Sequence, residues 1–129
     1  NLVMHRVLMR DEEKPADFTQ MFSNIDEFDL AYKYGVDKNL DGMFAATPKT
    51  AQRMYTALDA GDMTTAAKEL DGILALRDLY ITTGNLMAAF SHSMNLMGCE
   101  GNFYVDYTKD ISDESKAKVA AAMKELREI

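Results

Sequence analysis

Phe18-Thr19-Gln20-Met21-Phe22 and, further on, Leu40-Asp41-Gly42-Met43-Phe44-Ala45-Ala46 are the two stretches on which the fold class turns. The first combines aromatic and β-branched residues between Pro15 and Ser23-Asn24, the composition of a strand bounded by turn formers. The second is a compact apolar run behind the turn-forming Asp37-Lys38-Asn39. It is too short for an independent helix and reads as a second strand. Between them Ile25, Phe28, Leu30, Ala31 and Tyr32 fall mostly at helical spacing. Asp26, Glu27 and Asp29 sit in the first turns, where the helix dipole favours acid, and Gly35 supplies a stop. Strand, helix, strand is the pattern of a parallel crossover unit, so the expected class is α/β with two short parallel-type strands.

The flanking segments are helical in pattern. Residues 2–13 place Leu2, Val3, Val7, Leu8 and Met9 on one face and end before Pro15, whose ring disfavours helix in the residue preceding it. Thr47-Pro48 is a strong helix start, with the helix running to about Ala60. Asp62 is placed to cap a helix over 63–82 with a stripe of Ala66, Leu70, Ile73, Leu74 and Ile81, interrupted by Arg77. Another helix spans about 86–97 and stops at Gly98, residues 99–111 form a loop, and Ser112 caps a last helix with the stripe Val119, Ala122, Met123, Leu126 and Ile129. Four helices thus follow the two strands. A parallel pair needs neighbours to cover its faces, which implies that something outside these elements does so. The chain opens without Met and inside a helical pattern, and the expectation is a fragment of a longer protein.

With 47% hydrophobic and 27% charged residues among 129, the composition is that of an ordinary folded domain. The formal charge of −7, with basic residues scattered, argues against nucleic acid. Cys99 has no internal partner, no apolar run reaches the ~20 residues of a membrane span, and no signal peptide opens the chain. The expected compartment is the cytoplasm.

Four ordered pieces resemble the dihydrodipicolinate synthase and N-acetylneuraminate lyase superfamily, the class I Schiff-base aldolases. Phe22-Ser23-Asn24-Ile25-Asp26-Glu27 resembles that family's Phe-x-Gly-x-Asp-Glu turn after the seventh barrel strand. Tyr34-Gly35-Val36-Asp37 with Asp41-Gly42-Met43-Phe44 resembles its Gly-x-Asp-Gly entry to the eighth, here lengthened by a few residues. Pro48 to Tyr55 followed by Ala57-Leu58-Asp59-Ala60-Gly61-Asp62, with Ala66 and Ala67, is similar to the junction between the last barrel helix and the first appended one. Met97-Gly98 and Ile111-Ser112-Asp113-Glu114 resemble the family's tail, with Tyr104-Val105-Asp106-Tyr107 where an Arg-x-Pro commonly stands.

The resemblance implies a C-terminal fragment of a (β/α)8 TIM barrel, with residues 1–60 as the last βα units and 61–129 as an appended helical region. It implies a homo-oligomeric parent that makes or breaks a carbon–carbon bond beside a 2-oxo acid such as pyruvate. No cofactor is required, since a lysine imine is the electron sink. The family's lysine and tyrosine lie on earlier strands, so the fragment is inactive alone. Barrel chemistry sits at the C-terminal ends of strands, and the resemblance assigns substrate contacts to Asn24, Asp26, Glu27 and Ala46. Asp26 and Glu27 correspond to the residues that bind sugar hydroxyls in the lyases. Asn24 replaces the family's Gly and Ala46 an often-seen Ser.

Each candidate has a plainer reading. Asp26 and Glu27 suit the first turn of any helix, where a carboxylate contributes about 0.3–1 kcal/mol. His5 and His92 stand on separate helices without a second ligand three or four residues on, so no metal is expected. Cys99, beside Glu100 and lacking a base, reads as a structural thiol. The nine lysines all fall on polar faces or loops, whereas a Schiff-base lysine is buried. The ten methionines read as core filler rather than as a groove. The rival to the aldolase reading is a non-enzymatic helical domain whose apolar faces are buried by another copy or another protein.

Overall fold

The computed structural model describes residues 2–129; Asn1, the first residue of the expected barrel portion 1–60, lies outside the described residues. Seven α-helices follow in order: α1 (Leu2–Met9), α2 (Phe28–Lys33), α3 (Met43–Ala46), α4 (Pro48–Asp59), α5 (Met63–Thr82), α6 (Leu86–Leu96) and α7 (Asp113–Glu125). A 3-10 turn, Ile25–Glu27, leads directly into α2.

The twenty-residue α5 is the axis of the core. Ala66, Leu70, Ile73, Leu76 and Tyr80 are its buried face, and α4, α6 and α7 pack around it with Ala51, Met54, Ala57 and Leu58, with Ala88 and Ala89, and with Val119 and Met123. The expected stripe was one position out at its C-terminal end. Leu76 and Tyr80 are buried, Ile81 is exposed, and Arg77 sits at the rim, where its guanidinium reaches Asp26. Of the expected caps, Asp62 and Ser112 form and Thr47 does not, while Asn85 adds one that the sequence reading did not assign. Asp62 accepts from the Thr65 amide, Asn85 from that of Ala88 and Ser112 from that of Ser115, satisfying donors that a helix leaves free.

The expected α/β class, with its two strands and barrel-fragment reading, is corrected by the structure. The chain is 60% helical, and the described residues contain no strand and no sheet. What remains of the pairing is one isolated parallel bridge between Phe22 and Asn39, closed by the Phe22 amide on the Lys38 carbonyl (2.8 Å) and the Leu40 amide on the Phe22 carbonyl (2.9 Å). A parallel ladder gains stability from neighbours on both sides. With none, Phe18 and Met21 stay about half exposed, at 50% and 47%. The run 40–46 fails for a local reason. The Asp41 side chain accepts from the Met43 amide (2.9 Å), and this Asx turn winds 43–46 into a single helical turn that abuts α4. The first helix is likewise shorter than expected, ending at Met9, whose carbonyl accepts from Lys14 Nζ at 2.6 Å.

Candidate functional site

Asn24, Asp26 and Glu27 share one turn. Asn24 is exposed and extended at the start of the 3-10 turn, with its carbonyl accepting from the Glu27 amide (3.4 Å), and Glu27 is half-buried. Asp26 is held by a bidentate pair with Arg77 of α5, at 2.7 and 3.0 Å. The Arg77 hydrogen bond keeps the Asp26 carboxyl below the usual range, so it is an anion at neutral pH, with both oxygens engaged. Ala46 does not join them. It closes α3 and is fully buried, so its methyl group is core and not pocket wall. The sequence therefore brings three of its four candidates together and leaves the fourth inside.

The partner of Asp26 was legible only as an oddity. Arg77 interrupts an apolar stripe, and a cation half-sunk at the edge of a helix face calls for a carboxylate, but sequence alone gave no means of choosing Asp26 from 51 residues away.

A cavity of about 780 Å3 lies elsewhere, between α1 and the segment around Tyr34 and Val36, walled by Leu2, Val3, Met9 and the cations Arg6 and Arg10. Arg6 stands 4.6 Å over the Tyr34 ring, a cation–π contact that fixes the wall. His5 closes one side, edge-on to Phe22 with centroids 4.6 Å apart, and burial holds its imidazole below the ordinary range. Neutral His5, apolar walls and two guanidinium groups make this cavity suited to an apolar surface carrying acid.

A second pocket, about 60 Å3, is polar and lies where α6 meets α7, among Ser91, His92, Asn95, Asp110 and Lys116. Lys116 donates to Asp110 at 2.6 Å, which raises the ammonium above its usual value and lowers the carboxyl. That is the opposite of what an imine-forming amine needs. The other eight lysines are exposed. Among the described residues there is no grouping of three or more His, Cys, Asp or Glu that could hold a metal ion, and no helix is long and apolar enough to cross a membrane. The sequence matches no family model and no curated protein.

Proposed function

We propose that this chain works as part of a larger carbon–carbon lyase or aldolase that acts beside a 2-oxo acid through a lysine imine, and that the lysine lies outside these 129 residues. The observation that carries this reading is the order and spacing of the four motif pieces, from Phe22 to Glu114. The last two pieces fall at helix boundaries, whereas the first two, expected beside strands, meet only at the Phe22–Asn39 bridge. Gly35, Gly61 and Gly98 take left-handed conformations at helix ends, and Asp62 and Ser112 cap the helices that follow. In this reading Asp26 and Glu27 lie at the margin of the substrate site, and Asp26 is released from Arg77 only if substrate offers a better donor.

The test uses the protein from its natural source, captured with an antibody raised against residues 48–129, then treated with pyruvate and borohydride and analysed by mass spectrometry. The expected result is a polypeptide larger than 14.5 kDa carrying one reduced adduct on a lysine outside this sequence. A natural product of 14.5 kDa that takes no adduct overturns the proposal.

One observation favours the second reading, a helical association domain. No residue of α1 is buried, and Val3, Met4 and Val7 are 70%, 57% and 58% exposed beside the cationic cavity. An apolar helix face of this kind marks a contact with another protein surface. Under that reading the 14.5 kDa product is a stable dimer or higher oligomer by light scattering.

A further inference from the structure

Helix α4 begins without a local side-chain cap. Its Ncap residue, Thr47, turns its hydroxyl back to the Met43 carbonyl at 2.8 Å. Pro48 has no amide to satisfy and the Ala51 amide reaches the Thr47 carbonyl, so the amides of Lys49 and Thr50 are the donors left over. Both are taken by one carboxylate from the far end of the sequence. Glu128 Oε1 accepts from the Thr50 amide (2.7 Å) and hydroxyl (2.6 Å), Oε2 accepts from the Lys49 amide (3.1 Å), and the side chain is almost fully buried.

Three further features serve the same seat. Arg127 adopts a left-handed φ of 60°, a costly conformation for a residue with a side chain, and with it the Arg127 and Glu128 amides close on the Lys124 and Met123 carbonyls. This reverses the chain after α7 and aims Glu128 at α4. Arg53 donates to the Leu126 carbonyl (2.9 Å) and Lys49 Nζ to the Glu128 carbonyl (2.9 Å). At the other end, Leu126 lies against Gly72, a glycine inside α5. A Cβ built there would stand 2.7 Å from Leu126 Cδ2, so a side chain at this position would displace the end of Leu126 from its seat. A glycine within a helix is otherwise unfavourable, and here its smallness has a use.

We propose that Leu126-Arg127-Glu128 is a strap that opens and closes as one unit, with the Gly72 notch and the N-terminus of α4 as its two fastenings. Closed, it ties α7 to α4 across α5. Open, it releases the Lys49 and Thr50 amides to solvent, while Arg53 keeps its ion pair with Glu69 at 2.9 Å and the core beneath stays folded. The strap is a conformational latch set by local contacts, distinct from global unfolding.

Native-state hydrogen exchange resolved by residue tests this on the full chain and on two variants, one at each fastening. Glu128→Gln keeps the shape but turns an amide NH2 toward the donors of α4. Gly72→Ala fills the notch. In both, protection of the Lys49 and Thr50 amides is expected to fall by about tenfold or more, while that of Ile73 and Leu76 in α5 changes by no more than about twofold. The proposal is overturned by unchanged protection at Lys49 and Thr50, by an equal fall throughout α4, α5 and α7, or by a local fall in one variant alone, which would leave the two ends uncoupled.

Discussion

Residues 2–46 and residues 48–128 obey the same chemistry to different degrees of completion. In the second region every helix from α4 to α7 has a buried face, and the caps at Asp62, Asn85 and Ser112 come from its own sequence, with Glu128 supplying the remaining one. In the first, α1 has no buried residue, α2 and α3 have six and four residues, and two would-be strands meet at a single bridge. Phe22, Phe28 and Ala31 do reach the core, and Phe28 packs on Tyr55 of α4 with centroids 5.4 Å apart. With Ile25, Val36, Met43 and Ala46 these side chains join the first region to the second, while α1 and the exposed Phe18, Met21, Leu30 and Leu40 face outward. Hydrophobic pattern alone does not close a fold. The partner faces must also be present.

The contrast predicts unequal responses to the same truncation. Leu76→Ala, at a position 1% exposed on α5, is expected to cost about 2–5 kcal/mol in denaturant unfolding, since the lost side chain leaves a cavity walled by other helices. Leu8→Ala, at a position 40% exposed on α1, is expected to stay within about 0.5 kcal/mol. Equal costs would mean that α1 is buried in solution, as the self-association reading requires.

A smaller effect probes the closed region from within. Tyr80 is fully buried, its hydroxyl donates to Ser93, and burial pushes its pKa up to about 12. Tyr80→Phe removes the donor and leaves the buried Ser93 hydroxyl without it, for an expected loss of about 1–3 kcal/mol by thermal or chemical melts. Tyr80→Phe with Ser93→Ala removes both partners and should recover part of that loss. If the double variant is worse by the sum of the two, the pair is not coupled and the core has rearranged around it.

The closed region was readable because its signals are local. Pro48, Asp62 and Ser112 mark helix starts by chemistry that acts within one turn, and α5 runs over the very span that the spacing indicated. The first region was misread because strand formation is not local. Phe18–Phe22 has strand composition, yet a ladder needs a neighbour that composition does not supply, and Asp41 then tipped 43–46 into a helical turn. For the same reason the site residues were found but not their setting. Asn24, Asp26 and Glu27 are adjacent in sequence and so adjacent in space, whereas the burial of Ala46 and the grip of Arg77 on Asp26 depend on packing between distant elements. Glu128 went unnoticed because its meaning appears only once α4 and the end of α7 are side by side.

The Asp26–Arg77 pair spans the two regions, and its weight measures how firmly the first is held to the second. The two side chains are 47% and 26% exposed, so solvent screens the attraction and its contribution at neutral pH is expected to be below about 1 kcal/mol. Its pH dependence has a definite sign. The Asp26 carboxyl is depressed by the Arg77 hydrogen bond, so the stabilisation is complete above the unfolded carboxylate value of about 3.9 and is lost as pH falls through the lower folded value. Thermal melts of the native chain and of Asp26→Asn between about pH 7 and pH 2 should therefore differ slightly at neutral pH and converge in acid, and the difference should shrink as salt is raised. An offset that persists into acid would show that Asn fails for want of fit and not of charge. Complete coincidence at every pH would show that the two regions are joined by the Phe28 and Tyr55 rings and their neighbours, with the ion pair contributing nothing measurable.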